Sequence, residues 1–153
     1  MLLVMATVSA LLLGGQVRAT SLDAAVIALD NGHYQTASEG FETLARMGNT
    51  DAQTLLGIMY SEGRGIRRDN QQARHWLLLA AHQGCHDAQF LLGLSYLGGQ
   101  DDPAKARIWL RRSAHNGNLL AQRFLVRAYR QGWFGSENLQ HASYWQQHMQ
   151  NIN

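Results

Sequence analysis

The sequence predicts an all-α solenoid of about four antiparallel helical hairpins, and three observations carry that expectation. Ala52, Leu56 and Tyr60 fall at i, i+4 and i+8, one face of a helix, with Gly63 closing the segment. The pattern then returns. Ala52 to Ala88 is 36 residues and Ala88 to Ala121 is 33, and each alanine is followed by Leu56, Leu92 or Leu125, then Tyr60, Tyr96 or Tyr129, then Gly63, Gly99 or Gly132. A second helical stretch repeats in step: Ala73, Ala106 and Ala142 precede Trp76, Trp109 and Trp145 by three residues, and Gly84 and Gly117 take the position of helix C-terminal caps. Such a unit is a helical hairpin that cannot bury its apolar face alone, so successive copies stack.

The chain opens on a 12-residue apolar run, Leu2 to Leu13, broken by Gly14 and Gly15 and followed by Val17-Arg18-Ala19. Small residues at the minus-three and minus-one positions of a cleavage site make residues 1–19 read as a secretory signal peptide, and the run is too short to span a bilayer. The mature part, 20–153, then stays free of any membrane span and is exported to the periplasm or the medium. Its first unit, about 22–51, carries Gly32, Tyr34, Ala37, Phe41, Ala45 and Gly48. The second, 52–87, is the fullest copy. In the third, 88–120, Tyr96 to Ala106 spans 10 residues where Tyr60 to Ala73 and Tyr129 to Ala142 each span 13, so a shortened turn accounts for the uneven period. The fourth, 121–150, has Val126 in place of the glycine after its leucine and stops soon after Trp145.

The motif from Ala52 to Gly84, A-x-x-x-L-G-x-x-Y-x-x-G-x-G-I-x-x-D-x-x-x-A-x-x-W-x-x-x-A-A-x-x-G, resembles the Sel-one-like repeat, the slightly longer relative of the tetratricopeptide repeat. The first unit looks more like a plain tetratricopeptide unit. The resemblance covers roughly residues 22 to 148 and implies a right-handed solenoid serving as a protein-interaction module. Some secreted members of that family staple each hairpin with a cysteine pair and are linked to β-lactam hydrolysis; Cys85 is the only cysteine here, so that support for an enzyme is missing.

Composition adds limits. With 46% apolar residues and one proline the chain suits a single domain of normal core density. Cleavage after Ala19 leaves 12 basic against 11 acidic residues, a net charge near +1 that argues against general nucleic-acid binding. His82, Cys85 and His86 put three potential metal ligands within five residues, and a metal-binding or hydrolytic envelope enzyme using them is the alternative function. Against it, His82 shares its repeat position with His115 and Arg46, where a cation in the last helical turn meets unpaired carbonyls. There is no G-x-S-x-G, phosphate loop or H-E-x-x-H, so no enzyme activity and no cofactor are expected. Trp76, Trp109 and Trp145 read as core, whereas Trp133, in the last turn, is either an exposed anchor or a seal for the C-terminal end.

By resemblance to tetratricopeptide proteins, the variable positions of each first helix line the concave side. Offsets of two, six and nine from the alanine share a face: Thr54, Ile58 and Ser61; Phe90, Leu94 and Leu97; Arg123, Arg127 and Arg130. Asp51 and Asp87, just before the alanines, stand beside them. This order, polar to apolar to triple arginine, fits a groove for a protein or peptide partner, since apolar groups beside arginine are typical interface anchors. The competing reading is that Phe90 and Leu94 pack on the next hairpin and the arginines solubilise the end.

Overall fold

The computed structural model describes residues 21–98 and 102–150, so the expected leader at 1–19 lies outside the described residues. Over them run α1 Leu22–Asp30, α2 Tyr34–Arg46, α3 Thr50–Glu62, α4 Asn70–His82, α5 His86–Gly98, α6 Pro103–His115, α7 Leu119–Arg130 and α8 Leu139–Gln150. There is no strand among the described residues, and each helix packs mainly on its neighbours in sequence. The result is a row of four hairpins, all-α as the periodicity requires. Helices α3, α5 and α7 open two residues before Ala52, Ala88 and Ala121.

Local chemistry fixes both ends of the elements. Asn49 and Asn118 Oδ1 accept from the N–H groups of Ala52 and Ala121 at 2.8 and 2.9 Å, satisfying donors that a helix start leaves free. Asp69, Asp102 and Asn138 do the same for α4, α6 and α8. Gly84 and Gly117 follow their helices with φ of 94° and 90°, a left-handed conformation that costs glycine least. Within the last three hairpins the turn is closed by one shared bond: the N–H groups of Asp69, Asp102 and Asn138 donate to the carbonyls of Tyr60, Tyr96 and Tyr129 at 2.9, 2.9 and 2.8 Å. The shorter third turn keeps that closure, so its missing residues leave the helix pair intact.

Small residues set the core. Ala52, Ala88 and Ala121 are fully buried, and Trp76, Trp109 and Trp145 are buried beside them, as their repeat positions require. Gly57 and Gly93 have a reason that the pattern alone does not reveal. A Cβ on Gly57 would lie 2.7 Å from Leu77 Cγ, and one on Gly93 would lie 2.6 Å from Leu110 Cγ. The two helices of those hairpins therefore touch through glycine and leucine. In the fourth hairpin the register places Val126 and Gln146 at those positions, and Gln146 is exposed and accepts a hydrogen bond from Arg130 at 2.7 Å.

Adjacent hairpins are joined by a recurring buried bond. Gln53, Gln89 and Gln122, each next to a core alanine, donate through Nε2 to the carbonyls of Ala45, Ala81 and Ala114 at 3.1, 3.0 and 3.0 Å. Each carbonyl belongs to the last turn of the preceding hairpin. A buried amide needs such partners, and here they also lock the stacking register. In the second and third units the amide oxygens accept from Gln83 Nε2 and Asn116 Nδ2 at 2.8 and 2.9 Å.

Candidate functional site

The odd-numbered helices present one continuous face. Between α3 and α5 it holds a cleft of about 460 Å³, lined by Thr54, Leu55, Ile58, Phe90 and Leu91, with Leu120 at the α7 end and Asp51 and Asp87 beside it. A neighbouring cleft of about 350 Å³ takes in Ile58, Ser61, Leu91 and Leu94, and reaches Arg68 and Arg74. Helical spacing explains the arrangement, because residues at i and i+4 stand one above the other on each first helix. Thr54, Ile58, Ser61, Phe90 and Leu94, expected on one surface, do share it.

The remaining expected residues depart from that surface in part. Leu97 lines neither cleft; like Phe90 and Leu94 it is half-buried against the core of the last two hairpins, so the packing that the competing reading expects is also present. Arg123, Arg127 and Arg130 are exposed on α7 and line neither cleft. The Arg127 guanidinium lies 5.5 Å over the Trp133 ring, and Arg130 reaches Gln146 on α8. What connects the apolar clefts to the arginines is an aromatic run: Phe90 meets Phe124 at 6.2 Å, Phe124 meets Trp133 at 5.3 Å, and Arg127 covers Trp133. Trp133 thus does both things the sequence left open, sealing Phe124 and remaining 38% exposed.

Phe124 was missed in the sequence reading, as were Leu55 and Leu91. All three sit three residues after the core alanine, so their shared offset and apolar character were the available signal. They are half-buried, as residues are that floor a groove while supporting the core.

The arrangement of His82, Cys85 and His86 does not favour the metal reading. The His82 ring packs edge-on to Trp109 at 5.3 Å. Cys85 occupies the α5 start that asparagine holds in α3 and α7, and its Sγ lies 3.6 Å from Thr54 Oγ1 at the cleft. His86 Nδ1 sits 3.1 Å from Asp87 Oδ1 and 3.3 Å from Asn118 Nδ2. One turn separates them in sequence, yet the helix end sends them to three different neighbours. Among the described residues no three His, Cys, Asp or Glu side chains gather as a metal would require.

Comparison with known proteins agrees with this architecture. A model of the Sel1 repeat family matches residues 50–85 and 86–118. The chain is 40% identical over 65 residues to the ERAD-associated E3 ubiquitin-protein ligase component HRD3A of Arabidopsis thaliana, a stretch that is 40% of this chain and 10% of that protein. It is 33% identical over 78 residues to a putative sel1-like repeat-containing protein of Acanthamoeba polyphaga mimivirus, 51% of this chain and 14% of that one. The chain therefore matches only a small part of each of these relatives. Among solved structures, a Sel1 repeat protein from Oxalobacter formigenes aligns with a TM-score of 0.78 at 26% identity, covering 87% of this chain and 56% of that one. A protective antigen of uropathogenic Escherichia coli strains displaying an SLR fold aligns with a TM-score of 0.75 at 27% identity, covering 87% of this chain and 31% of that one. Two tandem repeat matches, set within a row of hairpins that aligns over 87% of the chain with proteins of this fold, show that the chain carries Sel1 repeats in a Sel1-repeat fold.

Proposed function

We propose that the chain is a non-catalytic, exported adaptor that holds a segment of a protein partner across α3, α5 and α7. Sel1 repeats generally mediate protein–protein interaction, and the finer assignment rests on one observation: the half-buried apolar cleft of α3 and α5 continues through Phe90, Phe124 and Trp133 to the exposed guanidinium of Arg127. Apolar floor beside cationic rim suits a peptide with an apolar anchor followed by carboxylates. Thr54, Ile58, Phe90, Leu94 and Leu97 supply or support the apolar part, and Arg123, Arg127 and Arg130 the charge.

Affinity capture with the domain lacking residues 1–19 tests this reading. Phe90→Ala should reduce capture, and Arg127→Ala with Arg130→Ala should reduce both capture and its salt sensitivity, while stability stays within about 0.5 kcal/mol, the usual tolerance of exposed positions. Undiminished capture by both variants would move the binding face elsewhere. Export is tested separately: mass spectrometry of the protein recovered outside the cytoplasm should give Thr20 as first residue, and an intact Met1 would contradict it.

A further inference from the structure

On the side of the even-numbered helices, the grooves between α2 and α4 and between α6 and α8 share a framework and differ in charge. The framework is a tyrosine from the first helix of a hairpin, a tryptophan from its second, and a residue from the last turn of the preceding hairpin. Between α2 and α4 the groove contains Tyr60, Trp76 and an internal ion pair, with Arg46 Nη2 2.6 Å from Glu42 Oε1. Between α6 and α8 the same register gives Trp145 with Arg111 where Glu42 stood and His115 where Arg46 stood. The acid of the pair has become a second base.

That groove, of about 180 Å³, is lined by Arg111, His115, His141, Tyr144 and Trp145. His115 packs on Trp145 at 4.7 Å, and His141 stacks on Tyr129 at 5.0 Å. Arg107 stands one turn before Arg111. Among the described residues neither arginine has an ion-pair partner, and after Pro103 the chain holds seven Lys and Arg against one acid, Glu137. His115 is held below the ordinary imidazole range first by partial burial, with the charges of Arg111 and His148 adding to it.

We propose that the α6/α8 groove binds a carboxylate side chain of a partner protein, which completes from outside the acid–base pair that Glu42 and Arg46 form within the chain. In the equivalent groove a carboxylate and a base one turn apart on α2 form an ion pair at the rim, whereas α6 offers two bases there. The planar guanidinium of Arg111 favours a carboxylate through paired hydrogen bonds. This surface is separate from the one between α3 and α5, so the two readings stand or fall independently.

The test uses the full chain, ring-proton NMR of His115 and His141, and three probes: a short peptide with adjacent glutamates, the same peptide with glutamines, and inorganic phosphate. The glutamate peptide should shift both histidines saturably, with weakening as salt rises, and the other two probes should not. Arg111→Gln should weaken binding at least about tenfold, the scale of one lost charge-assisted hydrogen bond. Arg111→Glu should abolish it and raise the titration point of His115, by rebuilding the internal pair. Equal response to the glutamine peptide or to phosphate, or full affinity in Arg111→Gln with native helicity, would overturn the assignment.

Discussion

At the scale of single residues, two kinds of position carry more information than their size suggests. Gly57 and Gly93 are helix-interior glycines, which by propensity alone would be improved by alanine by about 1 kcal/mol. Here the added methyl would press on Leu77 or Leu110, both buried, with Ala73 O and Leu110 N only 3.2 Å away. Overpacking costs about 1–3 kcal/mol and should win. Gly57→Ala and Gly93→Ala are therefore expected to lower the urea midpoint; a rise in both would mean that the helices can separate freely. Cys85 is the converse case. It holds a helix-start position at which Asn49 and Asn118 make capping bonds, so Cys85→Asn should stabilise by about 1 kcal/mol, read as a higher urea midpoint.

At the scale of elements, α4, α6 and α8 bury a side made of alanine, tryptophan and leucine, with Ser113 as the exception. Ala80 in α4 and Ala114 in α6 are fully buried. A carboxylate at either would be desolvated without a partner, at a cost of several kcal/mol, enough to unfold a domain of ordinary stability. Ala80→Asp and Ala114→Asp should each abolish cooperative thermal unfolding at neutral pH. The end of α6 also gives a pH dependence. His115 titrates lower folded than unfolded, so as pH falls the unfolded chain takes up the proton first. Its contribution is intact above the ordinary imidazole value, about 6.5, and is lost as pH drops through the folded value. His115→Gln should flatten that part of the stability profile.

At the scale of the whole molecule, the hairpin row was legible because repetition multiplies a weak signal: Ala, Leu, Tyr and Trp each recur in register. The candidate face was legible only in part. Offsets two and six bring Thr54, Ile58, Phe90 and Leu94 to the clefts, since helical geometry alone decides which side chains share a side. Leu97 and Arg130 depended on the neighbouring helices, which repeat arithmetic does not supply. The glutamines joining hairpins were invisible for a related reason: a buried polar residue looks like a surface residue until its acceptor is known. A net charge near zero also conceals a nearly balanced first half, residues 1–76 with seven acids and six bases, and a basic second half with four acids and seven bases.

Those glutamines have a mechanical consequence. Each spans from the first helix of one hairpin to a carbonyl of the hairpin before it, so it is loaded in shear when the row is stretched and opened in sequence when an end is peeled away. A chain held by both ends should resist like a riveted strap. Pulled from one end, it should yield hairpin by hairpin, which lets a bound partner be released from part of the surface while the rest keeps its shape.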